Sequence, residues 1–303
     1  MTSDTYLRVT SLCPTHITGF FEIRDSASDP LRKGSRGAGV NLTKEVETEV
    51  EVLPQRAIRT LVNGQEVEAR VSRRVAEMLL ERAGGSRGLT IRHTIPVPVG
   101  SGFGTSGAGA IGVAMAGSEA LGLGLTSLEV YQLAHSAEVE LKTGLGTVLG
   151  QFCGGLEVRE KEGAPGIGKA FQIPLSGKHS VVALHNGPML TSEFLSNPEY
   201  RKRVNEIGGA YSDEICRKRD LGTFLSLAHD FSMRLGLSEQ YLRLMNSAES
   251  HGYLLGMAMF GHTLFTIVRE NEAMELSRLI RREWKDGQVI ISPVGTEGAR
   301  LVA

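Results

Sequence analysis

The chain has 303 residues, of which 41% are hydrophobic, a composition typical of a globular protein with one large domain or two medium ones. Its net charge of −1 and pI near 6.7 argue against nucleic acid or a membrane surface as partner. The three cysteines are widely separated and form no CxxC pair, and the polar N-terminus is unlike a signal peptide. We therefore expect a cytoplasmic protein with reduced thiols.

The first third of the chain predicts a mixture of strands, loops and one helix. Alternating apolar and acidic residues predict strands with one exposed face, and Asn63-Gly64 is typical of a tight hairpin turn. The predicted elements are a strand over 6–13, a long loop over 14–39, a strand over 46–52, a helix over 66–82 and a strand over 89–95.

The rest of the chain continues to mix the two kinds of element. A helix is expected after residue 104, and Thr126-Ser-Leu-Glu129 has the sequence of a capping box that begins another. Further on we expect a hairpin over 156–174, strands over 180–185, 264–269 and 288–291, and helices over 199–217, 221–235, 239–250 and 272–284. This order favours an α+β fold over a doubly wound sheet, with a domain boundary near residues 174–180.

Residues 98–110, PVGSGFGTSGAGA, form the most informative motif in the chain. Glycines at positions 100, 102 and 104 let the backbone turn tightly and approach an anion, and the N-terminus of the following helix favours negative charge at the same place. The motif predicts a phosphate-binding loop in which Thr105 and Ser106 bond phosphate oxygens or Mg²⁺. A glycine-rich turn that only packs a strand tightly against a helix is the alternative.

Two other nucleotide-binding patterns match in part. Gly102-x-Gly104-x-x-Gly107 has the dinucleotide-binding spacing, but Glu119, the acid at the ribose-binding offset, lies inside the predicted helix. Residues 163–169 resemble a Walker A loop, but Ala170 replaces the Mg²⁺-binding hydroxyl and a strand follows where a helix is required. We therefore expect 163–168 to be a hairpin loop.

A basic segment lies within the predicted long loop. Residues 32–39, RKGSRGAG, place three cations on a flexible backbone, which suits a small anion. A solvated basic loop is equally compatible with the charges alone.

Three segments together resemble the GHMP kinases, small-molecule kinases named after galactokinase, homoserine, mevalonate and phosphomevalonate kinases. The glycine loop is similar to their phosphate-binding motif, residues 13–21 (CPTHITGFF) to their N-terminal motif, and residues 256–267 (GMAMFGHTLFTI) lie where the third motif is expected. Residues 16–23, 29–39 and 134–147 are most similar to archaeal members that phosphorylate (R)-pantoate. The resemblance covers nearly the whole chain.

The resemblance implies a two-domain α+β fold. An N-terminal ATP-binding domain that resembles ribosomal protein S5 domain 2 would span residues 1–176, and a C-terminal ferredoxin-like domain would span 177–303. It also implies ATP and Mg²⁺ as cofactors, a cytoplasmic homodimer, and phosphorylation of the terminal hydroxyl of (R)-pantoate to 4-phosphopantoate on the route to coenzyme A.

The resemblance further implies roles for individual residues. Ser106 and Glu138 would hold Mg²⁺, although from the residues alone Glu138 is equally a solvated helix-face acid. The ATP phosphates would be bound by the loop residues Gly100, Ser101, Gly102, Phe103, Gly104, Thr105, Ser106, Gly107 and Ala108.

The acceptor carboxylate requires a cation. Arg36 is the first choice, because a guanidinium binds a carboxylate through two hydrogen bonds, and Lys33 is the second. Ser35 and Thr147 are the other expected substrate-binding residues. His16 either orients the acceptor hydroxyl or caps a turn.

One departure from the family concerns the general base. Mevalonate-type members place an Asp shortly after the helix with the Mg²⁺-binding Glu, whereas this chain has no Asp or Glu from Leu141 to Leu156. Thr147 and Gln151 occupy that neighbourhood. We therefore expect proton loss to be late, to phosphate or water. The alternatives are another GHMP activity, on homoserine or a mevalonate-like alcohol, and a catalytically silent binding protein on the same fold.

Overall fold

Strands and helices alternate in small groups along the chain. The computed structural model describes residues 7–188, 197–259 and 261–302. Its strands are β1 Arg8–Arg24, β2 Gly34–Leu53, β3 Ile58–Val62, β4 Gln65–Glu66, β5 Gly88–Thr94, β6 Leu156–Lys161, β7 Lys169–Ile173, β8 His179–Pro188, β9 Gly256–Met257, β10 Gly261–Arg269, β11 Gln288–Pro293 and β12 Arg300–Leu301. Its helices are α1 Arg70–Arg82, α2 Thr105–Leu121, α3 Ser127–Glu140, α4 Thr147–Cys153, α5 Pro198–Lys218, α6 Leu221–Arg234, α7 Leu242–Ser250 and α8 Ala273–Glu283.

The strands form two sheets, which confirms the α+β prediction. The larger sheet has the order β12-β1-β2-β5-β3-β4, with β6 and β7 attached to β2, and the smaller has the order β11-β8-β10-β9. Helix α2 lies against β1 and β2, between α1 and α3. The predicted hairpin over 156–174 is confirmed by the antiparallel pairing of β6 with β7.

The predicted loop over 14–39 is wrong except for residues 25–33, which connect two strands. Strands β1 and β2 are long and pair antiparallel from Arg8 to Arg24, with register shifts at Pro14/Thr15 and at Thr18/Phe20. Such bulges let a strand accommodate the proline and glycine that mimic a loop in the sequence. The N-terminal motif is therefore part of the central sheet, where its side chains alternate between the two faces.

Several local predictions are confirmed. Asn63 and Gly64 both have positive φ, 48° and 81°, in the turn between β3 and β4. Thr126 and Glu129 form the reciprocal capping box of α3. Helix α1 begins at Arg70, later than predicted, because residues 65–66 pair as β4, and the short helix α4 was not predicted.

The predicted domain boundary at residue 176 lies between β7 and β8, the last and first strands of different sheets. One hydrophobic cluster joins the two sheets, and β12 returns to the larger sheet. The division into 1–176 and 177–303 therefore stays a prediction. Cys13, Cys153 and Cys216 are free thiols, as expected. Across the described ranges, no helix has both the length and the apolar character that crossing a bilayer requires.

Candidate active site

The phosphate-loop motif lines a cleft of about 1090 Å³. The cleft has two walls that differ in origin. The α4 wall comes from β1, the start of β2 and the segment around α4, and we define it as His16, Thr18, Phe21, Ser35, Leu145, Gly146 and Thr147. The α1 wall comes from β3, α1, β5 and the adjoining turns, and we define it as Val62, Val67, Val71, Ser72, His93 and Ile95.

The backbone of the loop has the conformation that the glycines predict. Gly100, Gly102 and Gly104 have φ values of 72°, 83° and 59°, and Gly104 is the N-cap of α2 with no side-chain cap. The N–H groups of the first helical turn therefore remain available to an anion. A Cβ at Gly104 would lie 2.8 Å from Thr147 Cγ2, so this position has little room for a side chain.

Eight of the nine predicted nucleotide-binding residues line the cleft: Gly100, Ser101, Gly102, Phe103, Gly104, Thr105, Ser106 and Gly107. Ala108 does not. It is buried in the core, and its N–H donates to Gly104 O at 3.1 Å, so that amide is not free for phosphate.

The third motif packs against the phosphate loop. Thr263 Oγ1 donates to Ser101 O at 2.8 Å, and Met259 N donates to Thr18 O at 3.1 Å. Met259 lines the cleft, whereas Phe260 lies outside the described residues. The loop is thus held from the side of the smaller sheet.

Ser106 and Glu138 lie next to each other, although 32 positions separate them. Ser106 Oγ donates to Glu138 Oε1, and Thr143 Oγ1 donates to the same oxygen at 2.8 Å. Glu138 is 2% exposed, and burial raises its pKa while the two hydrogen bonds oppose that rise. A buried carboxylate beside hydroxyl groups matches the hard oxygen ligands that Mg²⁺ prefers.

His16 lies in the α4 wall with its ring buried. Its backbone N–H donates to Phe103 O at 3.0 Å, and its Nε2 lies 2.9 Å from Glu157 Oε1. Burial lowers the pKa of His16, while Glu157 acts in the opposite direction. The ring fits between two glycines, Gly39 and Gly150, whose Cβ positions would overlap it. The imidazole is therefore a tightly packed partner of Glu157.

Arg159 is a buried cation behind the α4 wall that the sequence analysis missed. It is 1% exposed and its Nη1 donates to Glu157 Oε1, while its Nε has no hydrogen-bond partner among the residues that the structure describes. A Cβ at Gly146 would lie 2.7 Å from Arg159 Nε, so only a glycine separates this guanidinium from the cleft. The pattern Glu157-x-Arg159 places both side chains on one face of β6, a signal that strand periodicity could have revealed.

The structure separates the residues predicted to bind the acceptor. Ser35 and Thr147 line the cleft, but Lys33 and Arg36 do not. Because side chains alternate along β2, Arg36 points away from the face of Ser35 and bonds Glu22 Oε2 at 3.2 Å and Asp213 Oδ1 at 2.5 Å. The position of Arg36 does not support its predicted contact with the acceptor carboxylate, nor does that of Lys33.

The α1 wall combines apolar side chains with Ser72 and His93, and it is backed by a neutral series of hydrogen bonds. Four exposed polar residues line the cleft next to it: Asn63, Gln65, Glu68 and Arg70. Ser72 Oγ lies 2.8 Å from His93 Nε2, and His93 Nδ1 lies 2.9 Å from Thr48 Oγ1. Burial lowers the pKa of His93 to about 4, so the ring is neutral at physiological pH. None of the motifs noted in the sequence predicts these hydrogen bonds between Ser72, His93 and Thr48.

The match to known proteins agrees with these features. Residues 70–155, which include the phosphate loop and Glu138, match the family described as GHMP kinases N terminal domain. The pantoate kinase of Thermococcus kodakarensis is 32% identical, and the alignment covers 90% of this chain and 91% of that protein. The pantoate kinase of Methanocaldococcus jannaschii is 30% identical, covering 85% of this chain and 92% of its own.

A solved structure described as a phosphotransferase related to the CoA biosynthesis pathway is 31% identical with a TM-score of 0.88, covering 98% of this chain and 99% of its own. The likeness thus extends over both sheets. The chain therefore belongs to the pantoate kinase family of the GHMP kinases.

Proposed function

We propose that this protein transfers the γ-phosphoryl group of ATP to the terminal hydroxyl of (R)-pantoate and yields 4-phosphopantoate. The observation that carries the proposal is the buried Glu138 carboxylate hydrogen-bonded to Ser106 in the first turn of α2. Phosphoryl transfer depends on positioning and charge neutralisation more than on covalent catalysis. The Ser106–Glu138 pair lies at the N-terminus of α2, directly after the phosphate-binding loop.

The phosphate loop binds the nucleotide phosphates, and α3 provides a ligand for the metal ion. Backbone N–H groups from Gly102 to Gly107 bind the phosphates, and Thr105 Oγ1 bonds a phosphate oxygen. Glu138 and Ser106 hold Mg²⁺, which when bound neutralises charge on the transferred phosphoryl group. Thr143 orients the Glu138 carboxylate through its hydrogen bond of 2.8 Å.

The α4 wall suits a small branched hydroxy acid. Phe21, Leu145 and Met259 offer apolar surface to the two methyl groups of pantoate, and Thr18 offers a hydroxyl at the same wall. Ser35 is placed to bond the carboxylate.

Arg159 takes the part first predicted for Arg36. Its guanidinium lies behind Gly146 and Ser35 and is ion-paired with Glu157, and among the described residues its Nε has no hydrogen-bond partner, so the Nε–H is the donor that we assign to the acceptor carboxylate. The alternation of β2 explains why the neighbour of Ser35 in sequence cannot do so.

The acceptor proton leaves without a dedicated carboxylate base. Among the described residues that line the cleft, only Glu68 and Glu138 carry carboxylates, and Glu138 is committed to the metal. The bond between the acceptor oxygen and γ-phosphorus forms as the bond from γ-phosphorus to the ADP oxygen breaks. The hydroxyl proton then passes to a phosphoryl oxygen or to water.

The test is ADP release with a panel of acceptors, (R)-pantoate, homoserine and mevalonate, with the product identified by mass spectrometry. We expect turnover with pantoate, formation of a phosphorylated hydroxy acid, and loss of turnover in Glu138→Gln. Turnover with another acceptor alone would overturn the substrate. ATP binding without turnover of any acceptor would favour a silent binding protein.

The cellular context follows from the charge, the cysteines and the resemblance. We place the protein in the cytoplasm as a homodimer with no nucleic-acid or membrane partner, built from the two domains 1–176 and 177–303. Light scattering of the purified protein tests the dimer, and separate expression of the two segments tests whether either folds alone.

A further inference from the structure

We propose that Ser72 donates a hydrogen bond to a ring nitrogen of the nucleotide base, and that His93 and Thr48 fix the direction of this bond. The proposal rests on the proposed function, because it needs the nucleotide phosphates at the glycine loop. It makes Ser72 a base-reading residue, and His93 and Thr48 positioning residues.

The position of the base follows from the two walls of the cleft. The acceptor must approach the γ-phosphate beside Glu138. The α4 wall adjoins that carboxylate, because Gly144, which precedes Leu145 in the chain, lies against it: a Cβ there would be 2.0 Å from Glu138 Oε2. The α1 wall is left for the nucleoside. Val62, Val67 and Ile95 give it the apolar surface that a flat aromatic ring needs.

Buried polar groups are scarce in the α1 wall. Ser72 and His93 are 5% and 4% exposed. Gly109 of α2 lies against both, because a Cβ there would be 3.2 Å from His93 Cε1 and 3.5 Å from Ser72 Oγ. Since Ser72, His93 and Gly109 all line the cleft, a glycine at 109 leaves room in front of the serine hydroxyl.

The hydrogen bonds behind Ser72 have a defined direction. A neutral His93 carries one N–H. Within the described ranges, the hydroxyl of Thr48 has no partner other than His93 Nδ1, so its hydrogen satisfies that nitrogen. His93 Nε2–H then donates to Ser72 Oγ, and the hydrogen of Ser72 is free to enter the cleft.

A free hydroxyl hydrogen selects for acceptors. The ring nitrogens N1, N3 and N7 of adenine all accept hydrogen bonds, whereas N1 of guanine carries a hydrogen. A donor at N1 therefore also discriminates adenine from guanine, and a donor at N3 or N7 binds both purines equally.

The experiment measures direct nucleotide binding by calorimetry without acceptor. The ligands are ATP, GTP and the 1-deaza, 3-deaza and 7-deaza analogues of ATP, and the proteins are the wild type, Ser72→Ala and Thr48→Val. Ser118→Ala is the control, since Ser118 is a buried serine of α2 outside the cleft with its own partner, the N–H of Leu125.

We expect Ser72→Ala to weaken ATP roughly two- to twelvefold, the range for one neutral hydrogen bond. One deaza analogue should bind the wild type as weakly as ATP binds Ser72→Ala, with no further loss in the variant. Thr48→Val should weaken ATP binding less than Ser72→Ala does, because it removes the donor that keeps the His93 hydrogen on Nε2 and so lets the ring also adopt the tautomer that accepts the hydrogen of Ser72. Ser118→Ala should change nothing.

Equal ATP affinity of Ser72→Ala and wild type would overturn the inference. It would also be overturned if Ser72→Ala lowered the affinity for ATP and for each of the three deaza analogues by the same factor. If Thr48→Val does not fold, the Ser72→Ala comparison still decides. A wild type that phosphorylates pantoate while Ser72→Ala binds normally refutes only this inference. A wild type that binds no ATP refutes the proposed function.

Discussion

The two walls of the cleft differ in what lies behind them. The α4 wall is backed by buried ions, Glu157 and Arg159, and one polar atom on each, Oε2 and Nε, has no hydrogen-bond partner within the described part of the chain. The α1 wall is backed by a neutral chain, from Ser72 through His93 to Thr48, in which both ring nitrogens have partners. Buried ions with vacant hydrogen-bonding capacity suit a charged ligand, and neutral groups of fixed direction suit an uncharged base.

The buried charges on the side of the α4 wall carry an energetic cost. Burying an ion pair is expensive unless its remaining donors and acceptors are satisfied, so the free Nε of Arg159 is a place where a ligand carboxylate gains most. Glu138, on α3 beside the same wall, is held by hydroxyl groups and has no cation as a partner among the described residues. The catalytic side of the cleft therefore combines a carboxylate that lacks a cationic partner with an arginine whose charge is paired with Glu157 but whose Nε lacks a hydrogen-bond partner.

The largest expected effect comes from removing half of the buried pair. Arg159→Met leaves Glu157 charged and buried with His16 as its remaining partner, which we expect to lower the free energy of unfolding by about 3–5 kcal/mol. Urea denaturation measures it. The double variant Arg159→Met with Glu157→Gln should recover most of the loss.

Arg92→Met is the matched control, since Arg92 is a half-exposed arginine that pairs with Glu49 and Glu51. A surface pair of this kind contributes at most about 1 kcal/mol. Equal losses in the two single variants would show that the α4 wall stores no special charge.

Glu138→Gln tests the other charge on the catalytic side. Without the carboxylate the proposed Mg²⁺ site would lack its anionic protein ligand, and we expect kcat to fall roughly 10²–10³-fold, as for other lost electrostatic contacts in active sites. Steady-state kinetics at several Mg²⁺ concentrations measures kcat and the half-saturating Mg²⁺ together.

Glu140→Gln, two residues further along α3, is its control. Glu140 pairs with Arg74 at 2.8 Å outside the cleft, and its loss should leave kcat within about twofold. If Glu138→Gln keeps a tenth or more of the wild-type kcat, the carboxylate does not hold the metal.

The neutral α1 wall should reveal itself in the pH dependence of stability. His93 has a folded pKa of about 4 against 6.5 in the unfolded chain, so as pH falls the unfolded chain binds the proton first. The contribution of His93 to the free energy of unfolding, about 3 kcal/mol in total, is fully present above pH 6.5 and is lost as the pH falls to 4.

Urea denaturation between pH 4 and pH 7 measures this slope. In His93→Gln the slope should be shallower over that interval, whereas replacing the exposed His251 should leave it unchanged. Equal slopes in wild type and His93→Gln would mean that the ring is not held neutral.

Sequence reasoning was strongest where a function depends on neighbouring residues. The glycines of the phosphate loop act through local backbone conformation, and they predicted the start of α2 directly. The Ser106–Glu138 pair came from the family resemblance, and the structure places the two side chains in contact.

It was weakest where a site depends on strand register. Charge alone predicts Arg36, and after it Lys33, as the carboxylate ligand, because charge is visible in the sequence, whereas the face that the Arg36 side chain takes on β2 is not. Arg159 was missed for the same reason, since its importance comes from Gly146 and Ser35, which are distant in the chain. Burial of a cation next to a cleft is a tertiary fact.

The smallest expected effect separates these two neighbours on β2. Arg36→Lys keeps the charge but loses the planar fork, which would raise the KM for pantoate strongly if Arg36 held its carboxylate. Because Arg36 instead bonds Glu22 and Asp213, we expect that KM to stay within about twofold.

Ser35→Ala should raise the KM for pantoate roughly tenfold through loss of a hydrogen bond to a charged group, with kcat less affected. The reverse pattern, a sensitive Arg36 and a neutral Ser35, would mean that the acceptor carboxylate binds outside the α4 wall and that the buried charge of Arg159 serves the fold alone.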